Sequence, residues 1–201
     1  PVLRSCVLAS AGLLASAAFA QSPDFAEGNA PAWSTFASDN AAASVVNAAD
    51  HLKDGAASLL FTTQSGFDTG VKYPASGNLN YNASAFNYLT FWEYPENSTP
   101  IGWQGDQPIV VIRTGSGVIT LTPTSQLTPK FAWKLFKVPL AGGDGWTRSQ
   151  TGTPNLADVD QIEIHHDTWD YAFRIWIDGV RFRQLDPAGL QLGQQDVERV
   201  D

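Results

Sequence analysis

The residues best suited to chemistry lie in one short stretch near the C-terminus. Gln161, Glu163 and His165 alternate there with Ile162 and Ile164. Because side chains of a strand point to opposite faces in turn, this period of two predicts a buried apolar row and a polar row on the other face. An amide, a carboxylate and an imidazole offer the hydrogen-bond donors and acceptors that recognition of hydroxyl groups requires.

A second alternating run follows after a short polar break at residues 167–170. Phe173, Ile175 and Ile177 alternate there with Arg174 and Trp176, and Asp178-Gly179 supplies a turn signal at the end of the run. The two runs predict two strands whose apolar rows, Ile162/Ile164 and Phe173/Ile175/Ile177, build the core.

The pattern leaves two arrangements of these strands open. In a simple hairpin, Glu163 would lie opposite Arg174 and Gln161 opposite Trp176 as cross-strand pairs. If the chain instead crosses between two sheets, the strand at 159–166 would share a sheet with the segments near 71–73, 108–114 and 118–122. The polar row would then include Arg113, with Tyr73 at its border, and a guanidinium would join the hydroxyl-binding groups.

The rest of the chain favours an all-β fold. Seventeen Gly, twelve Pro and seven Trp among 201 residues are typical of a turn-rich, aromatic-rich β protein, and only 16% of residues are charged. We expect an antiparallel β-sandwich of eight to ten strands, since strand patterns recur with turn signals between them. The stretches 22–40 and 141–155 are predicted as loops, and 41–53 is Ala-rich but favours a strand over a short helix. The other predicted strands lie at 57–63, 71–73, 86–94, 108–114, 118–122 and 133–140.

The N-terminus has the pattern of a secretory signal. Arg4 precedes an apolar run that ends in Ala18-Phe19-Ala20, an A-x-A site, so cleavage after residue 20 is predicted. The lone Cys6 lies inside this segment, and the mature chain would need no disulfide. We expect a domain at 21–183, a loose tail or linker at 184–201, and a monomer exported by a bacterial-type route to the periplasm, cell surface or medium, without membrane insertion.

Charge excludes two classes of partner. The net charge is −8, and removal of Arg4 with the signal leaves 11 basic against 20 acidic residues. No basic patch is available to neutralise nucleic-acid phosphates or to bind an anionic membrane surface.

The tryptophans divide into two predicted groups. Trp103, Trp146 and Trp169 lie in predicted loops, where their rings are candidate platforms for stacking on sugar rings. The others fall in or beside strands and are interpreted as core residues or as residues under a loop: Trp33, Trp92, Trp133 and Trp176.

His165 and His166 do not predict a transition-metal site. Neighbouring residues of a strand point to opposite faces, so both imidazoles cannot readily ligate one ion.

The segment from Val159 to Phe182 resembles the last two strands of jelly-roll carbohydrate-binding modules of the galactose-binding-like fold. The similarity rests on Trp176-Ile177-Asp178-Gly179-Val180-Arg181-Phe182. Upstream, Phe25-Ala26-Glu27-Gly28 and Lys53-Asp54-Gly55 to Leu59 resemble earlier segments of these modules, so the resemblance covers roughly residues 24–183. The Ala within Phe-Ala-Glu-Gly departs from the usual spacing.

This resemblance implies a structural calcium that ties the first and last strands together. Glu27 and Asp178 match the expected carboxylate ligands, with backbone carbonyls near Asp54-Gly55 assisting. Oxygen donors of this kind suit calcium, which takes six to eight of them. The alternative for Asp178 is an ordinary turn residue, and for Glu27 a solvated edge residue.

Three functions follow as hypotheses. The first is non-catalytic binding of a polysaccharide or oligosaccharide through Tyr73, Trp103, Arg113, Gln161, Glu163, His165 and Trp169. The second is a polysaccharide lyase with His165 or a tyrosine as base. A glycosidase would need a second carboxylate facing Glu163, for which Glu93 and Asp160 are the candidates. The third hypothesis is a structural or adhesive cell-envelope domain, and the sequence names neither the glycan nor any partner domain.

Overall fold

The computed structural model describes residues 20–38, 41–97, 108–124, 130–167, 170–186 and 197–199. Within these ranges the regular structure is twelve β-strands and one 3-10 turn at Ala30–Ala32. None of the helical structure in these ranges is long and apolar enough to cross a membrane. The predicted signal at 1–20 lies outside the described residues except for Ala20.

Two six-stranded antiparallel sheets form a sandwich, which confirms the predicted fold class. The first sheet has the order β1-β4-β10-β6-β7-β9. Its strands are β1 (Ser34–Ala37), β4 (Asp68–Tyr73), β6 (Ile109–Thr114), β7 (Gly117–Pro123), β9 (Trp146–Gly152) and β10 (Val159–Asp167).

The second sheet has the order β12-β8-β5-β11-β3-β2. Its strands are β2 (Ala43–Ala48), β3 (Ser58–Thr63), β5 (Tyr88–Asn97), β8 (Ala132–Pro139), β11 (Phe173–Arg183) and β12 (Val197–Arg199). Consecutive strands therefore repeatedly cross from one sheet to the other, as in a jelly roll.

The main core lies between the sheets and is built from the predicted apolar rows. Ile162 and Ile164 of β10 are fully buried, as are Ile175 and Ile177 of β11. Aromatic rings fill much of the remaining volume, including Phe61 against the imidazole of His166. Burial of these side chains is the main stabilising contribution, at roughly 1.5–3 kcal/mol for each large one.

The two alternating runs lie on opposite sheets, so the crossing arrangement is right and the hairpin is wrong. Strand β10 pairs with β4 and β6, whereas β11 pairs with β3 and β5. Glu163 accordingly lies beside Lys72 and Val111, and Gln161 lies beside Arg113.

Several predicted loops contain strands. Residues 34–37 form β1 and residues 146–152 form β9, each at an edge of the first sheet. The sequence predicts loops there because an edge strand needs few apolar residues, and β9 is exposed at most positions beyond Trp146. Within the tail predicted as loose, residues 197–199 pair with β8. Residues 25–28, by contrast, form bends and a turn within the predicted loop at 22–40.

Candidate functional site

The polar row predicted on β10 faces away from the core on the first sheet. We call this surface the outward face; it carries residues of all six strands. On the first four strands of this face, counted from the β1 edge, lie Phe36 of β1, Asp68 and Lys72 of β4, Gln161, Glu163 and His165 of β10, and Arg113 of β6. The structure thus brings Arg113, Gln161, Glu163 and His165 together, as the crossing arrangement predicted.

Glu163 is the centre of this group. Its side chain is only 6% exposed. Arg113 Nε donates to Glu163 Oε1 at 2.5 Å, and Arg113 Nη2 lies 3.2 Å from Oε2. His165 Nε2 lies 3.0 Å from Glu163 Oε2. A carboxylate held by a guanidinium fork and an imidazole has its orientation fixed, since such charge-assisted bonds are among the stronger ones in proteins.

His165 lies between two carboxylates. Its Nδ1 is 2.8 Å from Asp68 Oδ1, and its Nε2 faces Glu163. A neutral imidazole donates from only one nitrogen, so both contacts are favourable only when the ring is protonated. The geometry therefore favours the imidazolium form.

Two pKa values follow from these contacts. Burial by itself raises the pKa of Glu163, but hydrogen bonds from His165 and Arg113 and their positive charges outweigh it and hold the pKa at about 2. Burial by itself lowers the pKa of His165, but bonding to Glu163 and Asp68 outweighs it, and the pKa is raised. Both shifts favour the ionised forms of Glu163 and His165.

Phe36 supplies an apolar surface next to these charges. Its ring centroid lies 4.5 Å from that of His165, with 56° between the planes. The ring lies over Gly70 of β4, where an added Cβ would come within 2.7 Å of Phe36 Cζ. A shallow depression of about 240 Å³ is lined here by Phe36, Lys72, Arg113, Glu163 and His165.

Three of the other predicted site residues lie elsewhere or outside the described ranges. Tyr73 faces the core side of β4, where its ring packs on Phe25 and Trp33, so its placement at the border of the polar row is wrong. Side chains of the odd-numbered residues of β4, such as Val71, point into the core. Tyr73 is odd-numbered, so its side chain points inward as well. Trp103 and Trp169 lie outside the described residues.

Gln161 stays on the outward face, and its Nε2 donates to the carbonyl of Pro74 at 3.4 Å. Trp146 is 4% exposed and belongs to the core, so its interpretation as a loop platform is wrong. It begins β9 with its ring against Phe136.

The outer side of the second sheet carries a separate aromatic cluster. Trp176, Trp133 and Tyr94 are buried there, with Trp92 packed beside them. His51, from the loop between β2 and β3, packs on Trp176 with 4.1 Å between the ring centroids and a tilt of 35°. Lys53 Nζ of the same loop lies 4.6 Å from the ring centroid of Trp92. The loop thus covers Trp92 and Trp176, which were predicted to lie in the core or under a loop.

The predicted metal ligands Glu27 and Asp178 also lie together, and Asp24 joins them. One carboxylate oxygen from each of the three lies within 4.8 Å of the others. Asp178 Oδ2 accepts from the backbone N–H groups of Lys53 and Asp54 at 2.8 and 2.9 Å, and Glu27 Oε1 accepts from that of Ala56 at 2.9 Å.

The donor set of this cluster fits calcium. Three carboxylates supply hard oxygen ligands at a spacing that one ion with bonds of about 2.3–2.6 Å spans. Burial is the main cause that raises the pKa of Asp24 and of Asp178, and a bound cation would oppose that rise. Arg181 contributes positive charge at the edge of the cluster, since its Nη2 lies 3.1 Å from Asp24 Oδ2 and its Nη1 pairs with Asp54.

Sequence reasoning missed Asp24 and Phe36. Asp24 lies in a segment without periodicity, and only its spacing of three from Glu27 pointed to it. Phe36 lies in a stretch predicted as a loop, because its strand has only four residues and shows no clear alternation.

The comparisons with known proteins support the fold. No family model and no curated protein matches the sequence. Among solved structures, the family 11 carbohydrate-binding module of cellulase Lic26A-Cel5E from Clostridium thermocellum matches with a TM-score of 0.53 at 12% identity, over 75% of this chain and 86% of that one. The module from the same organism in complex with a β-1,3-1,4-mixed-linked tetrasaccharide matches with a TM-score of 0.54 at 14% identity, over 75% and 88%.

An exo-β-agarase matches over 82% of this chain, which is 25% of that enzyme, with a TM-score of 0.56 and 14% identity. At these identities the likeness concerns the fold. The chain has the jelly-roll β-sandwich fold of carbohydrate-binding modules, as its final strands implied.

Proposed function

We propose that this chain is an exported, non-catalytic carbohydrate-binding module. One observation carries the proposal: Arg113, Glu163 and His165, from two adjacent strands, form an oriented polar group beside an apolar ring on the open face of a sheet. Fixed donors and acceptors next to an apolar surface suit a sugar ring, which presents both hydroxyl groups and C–H faces. A module of the same fold binds a β-1,3-1,4-mixed-linked tetrasaccharide, which makes mixed-linkage β-glucan the first polymer to try.

The contacts of the candidate bases disfavour catalysis. Both ring nitrogens of His165 face carboxylates, so no lone pair is left to abstract a proton in a lyase reaction. Tyr73 faces the core, and Glu93, a candidate partner of Glu163 for a glycosidase, is fully buried between the sheets. The outward face thus offers recognition rather than a general base.

Export and calcium complete the proposal. The segment 1–20, with its A-x-A site, directs secretion, and the acidic cluster holds a structural calcium through Asp24, Glu27 and Asp178. The ion would supply charge neutralisation for three carboxylates and would join the N-terminal segment to β11.

Affinity electrophoresis in native gels containing mixed-linkage β-glucan, xylan, mannan or a uronate polymer tests the binding function. We expect retardation on at least one polymer, reduced about tenfold in affinity by Arg113→Ala, because a hydrogen bond to a charged group contributes roughly 1.5–3 kcal/mol. Arg174→Ala is a matched control, since Arg113 and Arg174 are each 49% exposed and Arg174 pairs with Glu96 on the other sheet. Equal retardation of both variants, or none of the wild type on any polymer, would overturn the proposal.

A further inference from the structure

We infer that Phe36 is the sugar-stacking platform of the outward face, and that His165 is a positioning residue that holds this ring through its own positive charge. The inference rests on the proposed function and deepens it, because it assigns the apolar half of the site and makes binding depend on pH. Phe36 belongs to no motif, and its role follows from its contacts alone.

The position of Phe36 is that of a platform rather than a core side chain. Strand β1 lies at an edge of the first sheet, and its four residues are all partly exposed. The Phe36 ring crosses over Gly70 towards the polar row and lines the same depression as Arg113 and Glu163. Any side chain at Gly70 would fill the space under the ring, so the absence of one lets the ring lie against the sheet.

His165 is the side chain that the Phe36 ring packs on. The centroid distance of 4.5 Å is within the range of a cation–π contact when the imidazole is charged. The same charge is required by Asp68 at 2.8 Å and Glu163 at 3.0 Å, so one protonation state serves all three contacts. Loss of the proton would remove one hydrogen bond and the cation–π attraction together.

Four other charged groups lie around His165 and affect its protonation. Asp68 and Lys72 face it from β4, Glu163 from its own strand, and Arg113 from β6 through Glu163. When His165 is protonated, it and these four groups make up three cations and two anions. Deprotonation leaves two of each sign and frees Asp68, whose side chain is 62% exposed, to turn to solvent.

The expected result is a loss of affinity as pH rises. For the full chain on the polymer that retards it best, starting with mixed-linkage β-glucan, we expect the dissociation constant to increase roughly two- to fivefold between about pH 6 and 9, the size of an exposed cation–π contact. His165→Gln should bind at the weaker, alkaline level at every pH. Phe36→Ala should weaken binding at least as much, Phe36→Tyr should restore it, and Phe131→Ala, at an exposed phenylalanine beside the second sheet, should change nothing.

A double variant separates positioning from direct contact. If His165 acts through the ring, Phe36→Ala is already insensitive to pH, and adding His165→Gln weakens binding no further. If Phe36→Ala keeps the full pH dependence, His165 contacts the sugar itself and the inference is wrong. Thermal unfolding of each variant shows whether it is folded.

The two proposals fail in different ways. A wild type that binds no polymer at any pH overturns the proposed function, and the platform with it. A wild type that binds with no pH dependence, or a Phe36→Ala variant that binds like the wild type, overturns only the platform and leaves carbohydrate binding in place.

Discussion

At the scale of single residues, Glu163 holds the polar group of the outward face together. It is almost completely buried on a sheet surface that otherwise faces solvent, and it accepts bonds from Arg113 and His165. The alternation of polar and apolar residues in the sequence predicted that its side chain points away from the core. The alternation did not specify its partners, because Arg113 is 50 residues away along the chain and comes to Glu163 only through the pairing of β10 with β6.

The pKa of Glu163 predicts a pH-dependent contribution to stability. The pKa of about 2 lies below the ordinary value of 4.5, so the folded state binds this proton less tightly than the unfolded state does. The stabilisation is complete above about pH 4.5 and is lost as the pH falls towards 2; its size is on the order of 3 kcal/mol.

Comparison of the wild type with Glu163→Gln measures this contribution. We expect the variant to have a lower free energy of unfolding in urea at pH 7, with the difference shrinking between about pH 4.5 and 2. Glu96→Gln is the control, because Glu96 forms a partly exposed ion pair with Arg174, and its replacement should change the free energy of unfolding little. A wild type and a Glu163→Gln variant that differ equally at pH 7 and at about pH 3 would contradict the assignment.

At the scale of elements, alternation predicted the two-faced strands well. The predicted segments overlap seven strands that each have an apolar row to bury: β3, β5, β6, β7, β8, β10 and β11. The edge strands β1 and β9 were missed, since an edge strand has one neighbour and can be exposed along most of its length. The relation of β10 to β11 stays open in the sequence because both arrangements bury the same apolar rows.

Adjacent residues of β11 test the two faces of one strand. Ile175 is fully buried in the main core, whereas Arg174 points outward and is 49% exposed. Ile175→Ala should lower the free energy of unfolding by about 2–5 kcal/mol through lost burial and the cavity left behind. Arg174→Ala should lower it by less than about 1 kcal/mol, since exposed ion pairs contribute little. Denaturation in urea measures both, and similar values for the two would contradict the assigned faces.

At the scale of the whole molecule, the acidic cluster joins distant parts of the chain. Asp24 and Glu27 come from the N-terminal segment, Asp178 from β11, and Asp178 also holds the backbone of residues 53 and 54. The N-terminal segment further bonds to β11 through the Phe25 N–H and the Val180 carbonyl. An ion at this position would therefore stabilise the closure of the sandwich rather than the outward face.

The calcium proposal predicts that a chelator lowers the melting temperature. If the ion is present at about 100 times its dissociation constant, it contributes about 2.7 kcal/mol, which for a domain of this size corresponds to a fall of roughly 5–10 °C on its removal. Differential scanning calorimetry with a chelator, then with calcium restored, measures the change. Asp178→Asn should abolish the response, and identical melting curves of the wild type with and without chelator would remove Asp24, Glu27 and Asp178 as ligands.

Residue order alone is enough to predict the all-β class, the core rows of β10 and β11, and the polar row of Gln161, Glu163 and His165. These are local properties, because the period of two along one strand decides which side chains are buried together. Strand pairing in the folded chain is needed to show that β10 and β11 lie on opposite sheets and that Tyr73 faces inward. The same pairing brings Phe36 into the outward face, and the folded N-terminal segment brings Asp24 into the acidic cluster. Such contacts join residues far apart in sequence, and their energies depend on which strands pair. No single segment of the chain specifies that pairing.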